Sequence, residues 1–470
     1  MHSRLSRNSV YLATAYFTLI LALLFWAGCG GTSASNSSTP SAGNNPSTGG
    51  SQPGSSGSGS GGSSGTGGTS AGSGGSGGAS GSPGGGASSG GTGSSGGAGG
   101  SNAGTSGATF FYVSVASDSA RVGGYKVDSN GATLTQVPGS PFNEQGGTTP
   151  GVLVVSKKFV FGSEAHVSTD SSSSSSAIIT SFRPDATTGT LTQVGTLTLP
   201  NNGQAALFTE PTGHNLYVID SSNNILTLVI NPDGTLTNTG SSLHLADGIS
   251  SLAVSPNGQL AYVVAYNGTF TTGFTDELIA LNRDPNSGKL TVNHQVNSKQ
   301  HLGQVQFDTS GRYLLILSSS SDHMNVYSVD YSTGDASPVT GSPFPTTRGT
   351  SVPNSSDFTR DFRMDPSGKF LYVLNTNAAD QKPEYVSVFS FAEATGTLAL
   401  VQQFDMAPGT NPVTLVVDPS LVLVVNTNSG FNPSNINVLR RDANTGMLSA
   451  GGSPTIVQQS ALGQAGEVQF

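Results

Sequence analysis

Asp365-Pro366-Ser367-Gly368-Lys369-Phe370-Leu371-Tyr372-Val373-Leu374-Asn375, then Val386-Ser387-Val388-Phe389, then Thr395-Gly396-Thr397-Leu398: these three pieces carry one repeat of the chain. A turn of Pro, Ser and Gly opens onto an apolar strand. A β-rich run follows, and a Gly in a polar turn leads through Leu into another strand. Gly suits that turn because hairpins need a positive φ that costs other residues energy. An apolar run without polar alternation reads as a strand packed on both faces.

The same order returns along the chain. Pro211-Thr212-Gly213 precedes Leu216-Tyr217-Val218-Ile219, and Pro256-Asn257-Gly258 precedes Ala261-Tyr262-Val263-Val264. Thr309-Ser310-Gly311 leads to Tyr313, and Pro419-Ser420 leads to Leu421 without the Gly. The Gly turn recurs at Gly131, Gly189, Gly234, Gly288, Gly334, Gly396 and Gly446. The spacing is about 50 residues, which suits a blade of four strands. Gly139-Ser140-Pro141-Phe142 and Gly341-Ser342-Pro343-Phe344 close two repeats alike. No helical period is sustained. A parallel β-helix has a much shorter coil, and a sandwich does not repeat. The fold class is therefore all-β, and seven Gly turns predict a seven-bladed β-propeller over residues 108–470.

One repeat is incomplete. The others hold an inner strand before the apolar one, as in Leu302-Gly303-Gln304-Val305-Gln306-Phe307, whereas the first begins at once with Phe110-Phe111-Tyr112-Val113. The missing strand is found at the other end, as Leu462-Gly463-Gln464 and Glu467-Val468-Gln469-Phe470, with the same Val-Gln-Phe. The C-terminal strand is thus expected to pair beside the strand from Phe110 to Val115 and close the ring.

Composition removes several classes. The chain has 470 residues, one Cys, one Trp and a net charge of −9. A single Cys excludes a disulfide framework and any multi-Cys metal site. Trp26 lies in the leader, so the ring is not built from WD dipeptide repeats. The charge grows more negative once Arg4 and Arg7 leave with the leader, which speaks against nucleic acid and against a basic lipid-docking patch. HExxH, EF-hand and Gly-Gly-x-Gly-x-Asp patterns are absent from the sequence. Neither a metal nor a cofactor is expected.

The first 107 residues are of another kind. Arg4 and Arg7 precede an uncharged apolar stretch over residues 10–27, as in an export signal. It ends Ala27-Gly28-Cys29, which resembles the lipobox of bacterial lipoproteins, with Trp26 where Leu is usual. That resemblance implies cleavage before Cys29, lipidation of Cys29, and an extracytoplasmic place in the cell envelope. Gly30 after Cys29 resembles lipoproteins sent on to an outer membrane. An uncleaved signal anchor is the other reading of residues 1–29. Residues 30–107 are mostly Gly, Ser, Thr and Ala, with a few Pro and no charge. With nothing to bury, they are expected to form a disordered tether.

Phe370-Leu371-Tyr372-Val373-Leu374-Asn375 and Asn215-Leu216-Tyr217-Val218 resemble the YVTN-type blades of the seven-bladed lactonase family, which includes 6-phosphogluconolactonase-like proteins. The resemblance implies the propeller fold and a site at the mouth of its channel, where His, Glu and Arg would gather to hold an anion and activate water. Arg360-Asp361-Phe362 resembles an Arg-Asn-Phe segment of that family, with Asp361 in place of Asn. Asp220 loosely matches an acid after the Tyr-Val strand. The family's Pro-His-x-His and Asn-Glu segments are missing. The candidates are Arg360, His301, Glu164 and Asp220, and the first three each have a structural alternative. Arg360 could pair with Asp357 or Asp361. His301, which precedes an inner strand, could cap a loop. Glu164 and His166 precede a Ser-rich run and could be a solvated loop. Arg348, Arg360 and Arg363 form a local concentration of basic residues without nearby lysines and mark the anion site if there is one. The reading is a lipid-anchored binding or interaction module, with a protein, glycan or small molecule at the channel face; the alternative is a lactone hydrolase.

Overall fold

The computed structural model describes residues 108–116, 120–144, 149–166, 176–199, 205–245, 248–269, 273–296, 302–318, 323–348, 357–377, 384–406, 411–427, 434–457 and 460–469. Cys29, His301 and the side chains of His166 and Asp357 lie outside this set, as does the whole of residues 1–107.

Strands form seven separate sheets of four or five antiparallel strands. Six of them are sequential meanders, and blade 1 alone takes a strand from elsewhere, Ser460–Gln469, on the inner side of Thr109–Ala116. Its register runs Thr109 to Gln469, Phe110 to Val468 and Tyr112 to Gly466, with a shift between Val113 and Val115. The expected ring closure is observed, and Val468 is buried. Its motif match is not the reason. Val305 pairs with Ile316, whereas Val468 pairs with Phe110, which stands where Tyr313 does in blade 5. The two Val-Gln-Phe segments are therefore out of step.

The second strand of each blade is the packed center. In blade 6, Leu371 to Leu374 are wholly buried. Its odd and even residues serve different neighbours. Leu371 and Val373 pack with Tyr313 and Leu315 of blade 5, while Phe370, Tyr372 and Leu374 pack with Val422 and Val424 of blade 7. This is why the strand is apolar on both faces. Each such buried side chain contributes about 1.5–3 kcal/mol.

A repeated bolt joins the blades. Tyr112, Tyr217, Tyr262 and Tyr372 donate their hydroxyls to the carbonyls of Gly189, Gly288, Gly334 and Gly446 in the following blade, at 2.7–2.8 Å. Gly446 has φ +73°, and a β-carbon there would collide with the Phe370 ring. The Gly turn is thus required twice, by its dihedral and by the neighbour's aromatic ring. Six of the seven Gly turns have a positive φ; in the first, the left-handed residue is Ala132 and not Gly131. In blades 4 and 7 an arginine reinforces the bolt, with Arg283 and Arg441 donating to the Tyr217 and Tyr372 hydroxyls.

Candidate functional site

Antiparallel alternation sends two kinds of connection to one end of the ring: the hairpin between second and third strands, and the link into the next inner strand. This end is the mouth face. The sixth residue of the second strand approaches it in every blade. Counted from Phe159, Asn215, Tyr313, Phe370 and Leu421, that residue is Glu164, Asp220, Ser318, Asn375 and Asn426. All five are polar and buried. Glu164 and Asp220 are therefore equivalent positions, which their sequence contexts conceal.

Their surroundings differ. Asp220 is spent on its own hairpin: Oδ1 accepts from the backbone N–H groups of Ser222 and Asn224, and Oδ2 from the Asn224 amide. In blade 6, Asn375 donates to the Thr346 carbonyl at 3.3 Å and to Ser387 Oγ at 3.1 Å, and it accepts from Thr359 Oγ1. Ser387 Oγ also donates to the Thr346 carbonyl at 2.8 Å. Thr346 belongs to the segment that leaves blade 5 after Gly341-Ser342-Pro343-Phe344, so this neutral network ties blade 5 to blade 6.

Glu164 occupies the same slot in blade 2 and is not a solvated loop residue: it lies in the strand Phe159–His166 and is 1% exposed. The residue facing it is Glu144, which follows Gly139-Ser140-Pro141-Phe142 just as Thr346 follows its own copy of that motif. Thr180 Oγ1, equivalent to Ser387, is 3.5 Å from Glu164 Oε1. Gly162 makes the seat. A β-carbon there would lie 2.6 Å from the Glu144 carboxyl carbon, and the other six blades carry Val or Ile at this point. Burial first, then the charge and hydrogen bond of Glu164, hold the Glu144 carboxyl well above the usual carboxylate range.

The arginines sit at blade 6. The inner strand Asp357–Met364 has a register shift between Thr359 and Asp361, which makes Arg360 the extra residue of a bulge. Such a bulge re-aims a side chain. Burial lowers the Arg360 pKa, and the nearby charge of Glu384 opposes that shift. Asp361 takes Arg363 and not Arg360: Arg363 Nη1 is 2.5 Å from Asp361 Oδ1. Asp361 Oδ2 accepts from Thr414 Oγ1 at 2.6 Å and from the Leu415 N–H at 3.1 Å, which fastens blade 6 to blade 7. Arg348 pairs with Asp405 and lies 4.2 Å over the Tyr385 ring. Two of the three clustered arginines are thus committed to acids of the protein itself. The structure places Glu164 and Arg360 in blades 2 and 6, each beside its own partner.

Sequence reading missed Glu144 altogether. Its signal was available in the aligned Gly-Ser-Pro-Phe motifs and in the loss of Val at Gly162. A cavity of about 110 Å³ lies elsewhere, at the seam of blades 1 and 7, beside Val115, Tyr125, Pro141 and Ile456. None of the candidate residues lines it.

Residues 353–462 match the family described as "Lactonase, 7-bladed beta-propeller". Comparison with curated proteins finds no match. Among solved structures, the chain is similar to a periplasmic gluconolactonase of Pseudomonas aeruginosa, with 16% identity, TM-score 0.61, and 77% of this chain and 99% of that one covered. It is also similar to proposed 6-phosphogluconolactonases of Bacteroides fragilis (17%, 0.59, covering 78% and 99%) and Bacteroides uniformis (16%, 0.58, covering 77% and 100%). The chain is a seven-bladed β-propeller that resembles the lactonase family, in sequence over residues 353–462 and in fold over the whole ring.

Proposed function

We propose that the protein is an extracytoplasmic propeller, anchored in a membrane by lipid on Cys29, that binds an anionic small molecule at its mouth face. The observation that supports this is Arg360. A bulge sets a half-buried guanidinium near the start of an inner strand, on the same face as the polar ends of five second strands. A cation that burial disfavours gains from an incoming carboxylate, which it can grip with two parallel hydrogen bonds. Sugar acids and their lactones are the ligand class this reading names. The test is calorimetric titration of the mature protein with aldonates, with Arg360→Lys as the control; equal affinity in both would remove Arg360 from the site.

Lactone hydrolysis is the second reading. It is favoured by Glu144, a carboxyl whose pKa is raised by burial and by Glu164, on the face that bears Arg360, and by the likeness to a periplasmic gluconolactonase. Hydrolysis of aldonolactones by the purified protein tests it; no turnover of any lactone leaves binding as the function. The anchor has its own test. Cys29→Ser should leave the protein unprocessed or free of the membrane fraction, and unchanged fractionation would make residues 1–29 a signal anchor.

A further inference from the structure

Blade 2 departs from the repeat at several points that belong together. Gly162 replaces Val or Ile, Glu164 stands where blade 6 has Asn375, and Glu144 stands where the blade 5 segment has Thr346. Without Gly162 there would be no room for the Glu144 carboxyl. Without a second acid, Glu144 would have no partner of matching reach. Glu144 is 7% exposed, and its Oε2 accepts no hydrogen bond from any described residue. Two buried carboxylates side by side cannot both stay charged at low cost.

We propose that Glu144 and Glu164 share one proton and use it to clasp blade 1 to blade 2 at the mouth face, so that loss of the proton opens this seam. The Glu144 O–H donates to the Glu164 carboxylate. When base removes the proton to solvent, two like charges face each other across the seam and the bond is gone. Thr149–Ser156 carries no titratable group, and Pro150 pairs with Glu164. The third strand presents Ile178 and Thr180. On blade 1, the backbone of Arg121 pairs in register with Asn143, one residue before Glu144. The charge acting on Glu144 is that of Glu164. The sign follows: a carboxyl raised on folding stabilises at low pH, and its contribution fades as pH rises through the raised value.

Amide hydrogen exchange of the full mature chain, read by mass spectrometry from pH 5.5 to 9 and corrected for intrinsic chemistry, tests the clasp. Peptides spanning 149–166 report on it, and peptides spanning 357–377 are the internal control from the equivalent neutral slot. Protection in the first set should fall at least tenfold with rising pH while the second set stays level. Glu144→Gln, which imitates the protonated acid, should keep the protection at pH 9. Three results would overturn the proposal: equal response in both peptide sets, an unchanged pH response in Glu144→Gln, or restoration of protection at pH 9 by calcium or magnesium, which would make the pair a cation site.

Discussion

The slot where blade 5 meets blade 6 and the slot where blade 1 meets blade 2 share one geometry and opposite chemistry. Both are reached by a segment after Gly-Ser-Pro-Phe, and both are floored by the end of a second strand. The first is filled by Thr346, Thr359, Asn375 and Ser387, whose hydrogen bonds close on one another. The second holds Glu144, Glu164 and Thr180, with Pro150 where Thr359 would help. The fold evidently needs only the neutral version. An acid pair in a place that threonine and asparagine can fill is a departure with a cost, since an unpaired buried charge is among the more expensive things a protein can hold. Stability alone does not account for it.

The largest effect tests whether both slots depend on one closed ring. Deleting residues 463–470 removes most of the strand that pairs with Thr109–Ala116. Val468 alone contributes about 1.5–3 kcal/mol, and the bared inner edge invites aggregation. Against a total of about 5–15 kcal/mol, the loss should give insoluble or unfolded protein. Deleting residues 30–101 should leave the melt unchanged. If the C-terminal deletion melts like the intact chain, closure is not what holds the slots together.

Next in size is Asn375→Leu. It removes every hydrogen bond that the Asn375 side chain makes and leaves the Thr346 carbonyl and Ser387 each short of one partner. Buried groups left unsatisfied cost about 1–3 kcal/mol each, so denaturant melts should show a loss of about 2–4 kcal/mol. A loss under 1 kcal/mol would mean that the network is decoration, and the contrast with blade 2 would lose its reference.

A third change isolates the other titrating acid. Glu467, on the closing strand, is pushed up to about 8 by burial and by the charge of Asp418. A carboxyl raised this way stabilises the ring below its ordinary value near 4.5, and that stability is lost as pH climbs toward 8. Glu467→Gln should flatten the global melting temperature over this window, whereas Glu144→Gln should act on the blade 2 seam. If Glu467→Gln leaves the slope untouched, the global pH dependence belongs elsewhere, and the blade 2 pair becomes the first suspect.

How much of this was legible beforehand divides along physical lines. The fold was, because Gly189, Gly234, Gly396 and Gly446 are demanded by a dihedral and by a neighbour's ring, and such demands leave a fixed residue at a fixed spacing. Ring closure was legible as well, since an unmatched Phe110-Phe111-Tyr112-Val113 needs an inner partner. Its register was not, because the shared Val-Gln-Phe stands opposite different residues of the second strand in the two blades. The slots were hidden for a different reason. Glu144 and Glu164 are distant in sequence, and only the stacking of one blade on the next makes them a pair. Glu164 read as a solvated acid because the Ser-rich run after it disguises the end of a buried strand. Asp220 looked like a catalytic acid because nothing in its sequence shows the backbone amides it caps.

The smallest expected effect is the sharpest comparison, because it changes one hydroxyl in each slot. Ser387 Oγ donates to the Thr346 carbonyl at 2.8 Å and receives Asn375 at 3.1 Å, so it is a full member of its network. Thr180 Oγ1 stands 3.5 Å from Glu164 Oε1, at the limit of a useful hydrogen bond. Ser387→Ala should therefore cost about 1–2 kcal/mol, and Thr180→Val, which keeps the shape, under about 0.5 kcal/mol. The asymmetry follows from where each slot keeps its cohesion: in the neutral slot every hydroxyl is a link, whereas in the acid slot the link is the proton between Glu144 and Glu164, with Thr180 a bystander. Equal losses from the two substitutions in denaturant melts at pH 6 would show that Thr180 is holding Glu164 in place. The two slots would then be variants of one hydrogen-bonded joint and not two different devices.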